Sequence, residues 1–141
     1  MLKNVSKTLG FVGIIIGVLI ALTPRYIAQP CQGLLELKSG MMVHMVCHWS
    51  GQAAMIIGIL VMLVGILQVT VKNLETTKYL GIVQAFLGIS LFLVPKSYVI
   101  GICKNETMAC HHMASVLTLF AVTLIVISLV NIFWAKDVSS Y

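Results

Sequence analysis

The chain contains few charged residues, and this scarcity excludes most classes of soluble protein. Of its 141 residues, 9% are charged and 60% are hydrophobic, whereas a soluble domain carries about 25% charged residues. The mean hydropathy is +1.05. The sequence therefore predicts a membrane protein that has the lipid bilayer as its surroundings, and its length allows a single domain, 1–141.

The sequence also lacks the motifs of common catalytic and nucleic-acid-binding classes. It has no glycine-rich phosphate loop, no pair of acidic side chains and no Ser-His-Asp set. Its net charge of +5 is not arranged as a basic patch with stacking aromatic residues, so we expect no nucleic acid as a partner. The predicted spans contain no acidic side chain, which argues against a proton-driven transporter working alone.

Four apolar runs are each close to the ~20 residues that a helix needs to cross a membrane. They lie at roughly 8–27, 50–71, 79–100 and 114–134. The predicted fold is therefore an all-α polytopic membrane protein with four transmembrane helices. Lys3 and Lys7 precede the first run and favour an orientation with both termini inside. No Ala-x-Ala-like cleavage site follows that run, so we expect it to be retained as a helix.

The two halves of the chain align as a tandem repeat of helical hairpins, about 8–71 and 79–134. Matching positions are 71 residues apart in the first helix of each half and 63 residues apart at the start of the second helix. A repeat with two spans returns the chain to its starting side, so the repeats are predicted to be parallel, about an axis along the membrane normal. The matched pairs include Gly17 and Gly88, Pro24 and Pro95, Arg25 and Lys96, Cys31 and Cys103, and His48 and His111.

Small residues recur at every fourth position in three of the predicted helices. They are Gly13, Gly17 and Ala21 in the first, Ala54 and Gly58 in the second, and Gly81 and Ala85 in the third. This spacing lets membrane helices approach closely, so it predicts tight helix packing.

Each predicted repeat contains a Met-x-Cys-His motif just before its second apolar run, at 45–48 and 108–111. Thioether, thiol and imidazole groups are ligands for copper, zinc or haem iron. The predicted axis places both motifs on one outer face, where the two halves would form a shared site. His48 and His111 are the predicted metal ligands, with Met45 and Met108 as further ligands.

Side chains around these histidines are predicted to assist the site. Gln52 and Ser115 lie one helical turn deeper than each histidine and would fix its tautomer. Arg25 and Lys96 either extend towards lipid headgroups or hold an anionic group such as a haem propionate, a lipid phosphate or a quinone oxygen. Further candidate ligands, without a match between the repeats, are His44, His112, Met41 and Met42.

All four cysteines are predicted to lie outside the membrane, where disulfides persist. Four cysteines allow three pairings, and the one that respects the repeat is Cys31–Cys47 with Cys103–Cys110. The cysteines are then either two structural disulfides or, if they are reduced, thiolate ligands or redox groups.

The segment Cys47-His48-Trp49-Ser50-Gly51-Gln52-Ala53 and the second Met-x-Cys-His motif resemble an uncharacterised bacterial family of small four-helix membrane proteins, a domain of unknown function. The resemblance covers nearly the whole chain, including the proline corners. It implies a multi-pass protein of the bacterial plasma membrane that accompanies export-type ABC permeases. A second likeness is to quinone-linked disulfide-forming membrane proteins, although the Cys-x-x-Cys pair that they need is missing here.

Three hypotheses follow from the sequence. The first is outward-facing binding of haem or copper by an accessory subunit of a transporter, with possible homo-oligomers; haem is favoured if the cysteines are paired and copper if they are free. The second is a membrane enzyme, a quinone-linked thiol–disulfide oxidoreductase. The third is a structural accessory subunit without a ligand.

Overall fold

A computed structural model of the chain describes residues 2–27, 29, 34–36, 38–44, 46–96, 98–100 and 109–139. Its described elements are four α-helices, one π-helical turn and a small β-hairpin. They are α1 (Leu2–Leu22), the π-helical turn (Thr23–Ile27), β1 (Leu34–Glu36), β2 (Met42–His44), α2 (Val46–Thr70), α3 (Leu74–Leu93) and α4 (Ala109–Ser139).

All four helices are long and apolar enough to span a membrane, which confirms the predicted all-α, four-helix fold. The apolar spans are Lys7–Ile27, His48–Thr70, Glu75–Leu93 and His111–Trp134. Only 28–39% of each span is buried inside the bundle, and large apolar side chains such as Phe11, Phe86 and Phe133 are exposed. Exposed apolar surface on this scale suits lipid and not water, so the chain is a multi-pass membrane protein.

The two proline corners end their helices differently. Thr23 and Pro24 belong to the π-helical turn that continues α1, and the Thr23 hydroxyl donates a 2.7 Å hydrogen bond to the Leu19 carbonyl. At Pro95 no such turn forms: α3 ends at Leu93. Proline lacks an N–H donor and restricts the residue before it, so the predicted third span, 79–100, extends too far beyond this corner.

The helices follow one another around the bundle in chain order. The most extensive packing is between α1 and α2 and between α3 and α4, with smaller interfaces between α2 and α3 and between α1 and α4. We call α1–α2 the first hairpin and α3–α4 the second hairpin. The loop end of the bundle contains the β-hairpin and both proline corners, and the turn end contains the short connection of residues 71–73 between α2 and α3.

The helices of the first hairpin approach each other so closely that main chain meets main chain. A Cβ atom added at Gly17 would lie 2.6 Å from the Met62 nitrogen, and one at Gly58 would lie 2.6 Å from the Ala21 nitrogen. About two turns away, a Cβ atom added at Gly65 would lie 2.9 Å from the Ile14 nitrogen. The predicted tight packing through Gly17, Ala21 and Gly58 is therefore confirmed.

The second hairpin has glycines on α3, and they are covered by side chains of α4. A Cβ atom at Gly81 would lie 3.2 Å from Ile132 Cγ1, and one at Gly88 would lie 3.0 Å from Ile125 Cγ1. Both nearest atoms belong to flexible side chains, so this interface is less closely packed than the first.

The core of the bundle is apolar through its middle and polar towards its ends. Ile20, Leu91, Leu117 and Leu124 are fully buried at the centre. Towards the turn end the buried residues include amides, Gln68, Gln84 and Asn131, and towards the loop end they include hydroxyl groups, Thr23 and Ser50.

Candidate functional site

A pocket of about 450 Å³ opens at the loop end of the first hairpin. Three separate elements of the chain build it, because the proline corner, the β-hairpin and the start of α2 meet here. The π-helical turn, β2 and α2 contribute Pro24, Arg25, His44, His48, Gly51, Gln52 and Met55. Residues 48, 52 and 55 lie at helical spacings of four and three, and so share one face of α2.

Two imidazole rings lie side by side in this pocket. The ring centroids of His44 and His48 are 4.7 Å apart, with 36° between the ring planes. Two histidines that bind one tetrahedral metal ion have ring centroids about 5 Å apart, given metal–nitrogen bonds of about 2.0–2.1 Å. The pair therefore has the separation of two ligands of a single ion.

Gln52 contacts His48 as the helical spacing predicts. Its Nε2 lies 3.4 Å from His48 Nε2, which is at the long end for a hydrogen bond. The edge of the His48 ring also meets Trp49, with centroids 6.0 Å apart and an angle of 87°. These two contacts restrict the rotation of the His48 ring.

The charge of the pocket is positive. Arg25 is exposed at its rim, and none of the described lining residues is acidic. The set of donor atoms is thus neutral imidazole and thioether beside one guanidinium cation. Such a set favours an ion of low charge, or a ligand with an anionic group, over a bare divalent cation.

His111 lies in a different pocket, of about 530 Å³, whose described lining comes from α4 alone. Its wall includes hydroxyl groups, but the Ser115 hydroxyl donates to the main-chain oxygen of His111 at 3.0 Å instead of to the imidazole ring. The pockets of His48 and His111 have no lining residue in common. The structure thus brings together His48, Arg25 and Gln52 from the predicted set, while the shared site of His48 and His111 stays a prediction.

Lys96, the predicted counterpart of Arg25, follows the end of α3 and lies over an aromatic ring of that helix. Its Nζ is 5.1 Å from the centroid of Phe92, which is within the range of a cation–π interaction. Neither pocket described above includes Lys96 in its lining.

Several predicted site groups lie outside the described residues. They are Met45, Met108, Cys31 and Cys103, and the side chains of Cys47 and Cys110. The disulfide pairing and the thioether ligands of the motif therefore remain predictions. Within the described part of the chain, no group of three or more His, Cys, Asp or Glu residues is placed to hold a metal ion.

The sequence analysis missed a cluster of three amides inside the bundle, because it considered only ionisable residues within the spans. Gln68 and Gln84 are fully buried, and Asn131 is 3% exposed. Gln68, Gln84 and Asn131 lie inside the predicted spans, and Gln68 and Asn131 are 63 residues apart like the paired histidines. This pattern was the signal that the sequence offered.

Comparison with known proteins places the chain in a family of unknown function. No curated protein and no solved structure matches the chain. A family model, "Domain of unknown function (DUF4418)", matches residues 13–134. Because this range spans most of the chain, the chain belongs to the DUF4418 family. The range includes the pocket of His44 and His48, the pocket of His111 and the three buried amides.

Proposed function

We propose that this protein binds a transition-metal ion at the loop end of the first hairpin, and that the ion is cuprous copper. The observation that carries the proposal is the pair of imidazoles, His44 and His48, 4.7 Å apart in one pocket. Their separation suits two ligands of one ion, and two neutral nitrogen ligands with a nearby thioether suit a soft ion. The proposal replaces His111 by His44 as the partner of His48.

Cuprous copper fits the charge of the pocket better than a divalent ion does. The described lining contains Arg25 and no carboxylate, so a doubly charged ion would keep its full charge beside a cation. A monovalent ion bound by two or three neutral ligands meets about half of that repulsion. Met55 is the candidate for the third ligand, because it lines the same pocket and lies on the same face of α2 as His48.

Anaerobic titration of the purified protein with Cu(I), against a chromogenic Cu(I) chelator, tests the proposal. We expect one ion per chain, and a loss of affinity of at least about tenfold in His48→Ala and in His44→Ala. His112→Ala is the matched control, since His112 is an exposed histidine of α4. No binding, or equal binding by His48→Ala, would contradict the proposal.

His111→Ala separates this proposal from the site shared by the two halves. If His48 and His111 bind one ion together, the two alanine variants lose affinity equally. If the ion lies between His44 and His48, His111→Ala binds as the wild type does.

Haem is the second candidate for the same pocket, and Arg25 is the observation that favours it. A guanidinium group beside His48 would hold a propionate while the imidazole binds the iron. His44 and His48 lie too close together to bind haem iron as its two axial ligands, since a porphyrin ring would have to fit between them. Haem would therefore use His48 alone, and a Soret band on addition of haem, lost in His48→Ala, would favour it over copper.

We further propose that the bound ligand is exchanged with a transporter in the same membrane. The support is the position of the pocket at one end of the bundle, open to a partner on that side. Copurification from native membranes tests this step, with copper or haem binding scored separately.

A further inference from the structure

Three buried amides and one glycine form a polar layer in the turn-end half of the bundle, with one position on each helix. Gln68 Nε2 donates a 2.8 Å hydrogen bond to Gln84 Oε1, and Asn131 Nδ2 donates a 3.5 Å bond to Gln68 Oε1. The amide nitrogen of Gln84 faces Gly13, where an added Cβ atom would lie only 2.9 Å away. These bonds connect α2 of the first hairpin with α3 and α4 of the second.

The layer is costly for the free energy of folding unless its pairing is specific. Amides in hydrocarbon are unfavourable without partners, and Gln84 Nε2 is buried with no hydrogen-bond partner among the described residues. A leucine at each position would avoid that cost. The layer therefore has to be explained by what it selects.

The four positions are equivalent in the alignment of the two halves. Gly13 and Gln84 are 71 residues apart, and Gln68 and Asn131 are 63 apart. The glycine contacts within each hairpin follow the same offsets. Gly17 contacts Met62 in the first hairpin, and Gly88 contacts Ile125 in the second. The two glycines are 71 residues apart, and Met62 and Ile125 are 63 residues apart. The layer thus occupies matching levels in both hairpins. One pair of equivalent positions differs in size, because α1 has Gly13 where α3 has Gln84, and the long side chain of Gln84 faces Gly13.

We propose that this difference in size makes the two hairpins pair with each other and not with second copies of themselves. Two first hairpins would place Gly13 opposite Gly13, and both Gln68 amides would lose the acceptor that Gln84 provides. Two second hairpins would force two Gln84 side chains into the space of one. Only the mixed pair fills the layer and satisfies Gln68, in the way that a buried polar residue selects the partner in coiled coils.

Exchanging the two residues tests the proposal in the full-length chain. Gly13→Gln and Gln84→Gly should each lower the apparent Tm in detergent, by about 5–10 °C. The double variant G13Q/Q84G should recover most of that loss, because the glutamine introduced on α1 would then bond to Asn131 as Gln84 bonds to Gln68. The first of these single variants overfills the layer and the second empties it.

The matched control G13Q/Q68G has the same amino-acid composition but exchanges positions that are not equivalent. It should stay as unstable as the single variants. If the control recovers as well as G13Q/Q84G does, or if neither double variant recovers, the layer does not select the pairing of hairpins.

Oligomeric state gives a second, independent measurement if a single variant does not accumulate. The conservative pair Gly13→Ala and G13A/Q84A is then compared with Gln84→Ala by light scattering of the detergent-solubilised protein. In Gln84→Ala, small residues occupy the layer on both α1 and α3, so the hairpins should no longer distinguish each other from copies in a second chain. The fraction of dimer should therefore rise, and a fraction equal to that of the wild type would overturn the proposal.

Discussion

The two hairpins of this protein differ in the atoms that meet between their helices. In the first hairpin, glycines on both helices let the main chains touch. A Cβ atom added at Gly17 or at Gly58 would lie 2.6 Å from a main-chain nitrogen of the other helix. In the second hairpin, isoleucine side chains of α4 pack against the glycines of α3. Main-chain atoms cannot move away from an added methyl group, whereas a side chain can change its rotamer. The first hairpin should therefore be the more rigid of the two, and it is the one that contains the pocket with two imidazoles.

The largest expected effect comes from adding one methyl group at equivalent glycines. Gly17→Ala should lower the free energy of unfolding by about 3 kcal/mol, because the new Cβ meets main-chain atoms of α2. Gly88→Ala should be close to neutral, since Ile125 can adjust and alanine gains about 1 kcal/mol of helix propensity. Unfolding in a detergent–denaturant series measures both, and equal losses would remove the distinction between the hairpins.

Removing the amides should give an intermediate effect that depends on bond length. Gln68→Leu breaks both bonds of the layer and should destabilise the protein by about 1–2 kcal/mol. Asn131→Leu breaks only the 3.5 Å bond and should cost less than about 1 kcal/mol. The same unfolding assay applies, with the lipid-facing Leu129→Ala as a control for helix surface, and a larger loss in Asn131→Leu would contradict this ranking.

The proline corners should differ in ligand binding more than in stability. Pro24→Ala restores an N–H donor and so removes the cause of the π-helical turn. If the turn becomes α-helical, Arg25 rotates by roughly 100° about the helix axis. If haem binds there, we expect its affinity to fall by about threefold, or about 0.7 kcal/mol, because Arg25 no longer faces the propionate, while Cu(I) should bind as well as before or better. Pro95→Ala lies at the corner of the other hairpin and should bind as the wild type does, so a decrease in both variants would show that the corners act alike.

The smallest effect should come from the cation of the second hairpin. Lys96→Met removes the contact with Phe92 and should cost about 0.5 kcal/mol of stability with no change in ligand binding. Arg25→Met should weaken an anionic ligand such as haem and leave Cu(I) binding unchanged or stronger. Thermal unfolding and the two titrations measure these variants, and reduced Cu(I) binding in Arg25→Met would contradict the charge argument.

The sequence predicts the helices well because lipid imposes a length and a composition on them. Four apolar runs gave four helices, and the four-residue spacing of small residues in α1 and α2 marked Gly17 and Gly58, where the main chains of the two helices approach each other. The predicted end of the third span was wrong, because the apolar run continues past Pro95 but the helix ends at Leu93.

The site was harder to predict, since it depends on which helical faces meet. Helical spacing placed Gln52 beside His48 correctly. His44 has no counterpart in the second half of the chain, so the repeat does not mark it, although it lies only four residues before His48 and shares its pocket. The match of Gln84 with Gly13 joins residues 71 positions apart, and no local pattern marks which glycine a long side chain will cover.

The apolar middle of the bundle also limits how one copy of the chain can act. Between the amide layer with its buried neighbour Ser128 and the buried hydroxyls of the loop end, the structure describes a run of buried hydrocarbon side chains: Ile16, Ile20, Val61, Leu91, Leu117 and Leu124. An ion leaving its ligands at the loop end would meet a dry barrier of oil-like groups instead of a hydrated path. If an ion binds there as proposed, it would leave on the side from which it arrived, unless another protein carries it across.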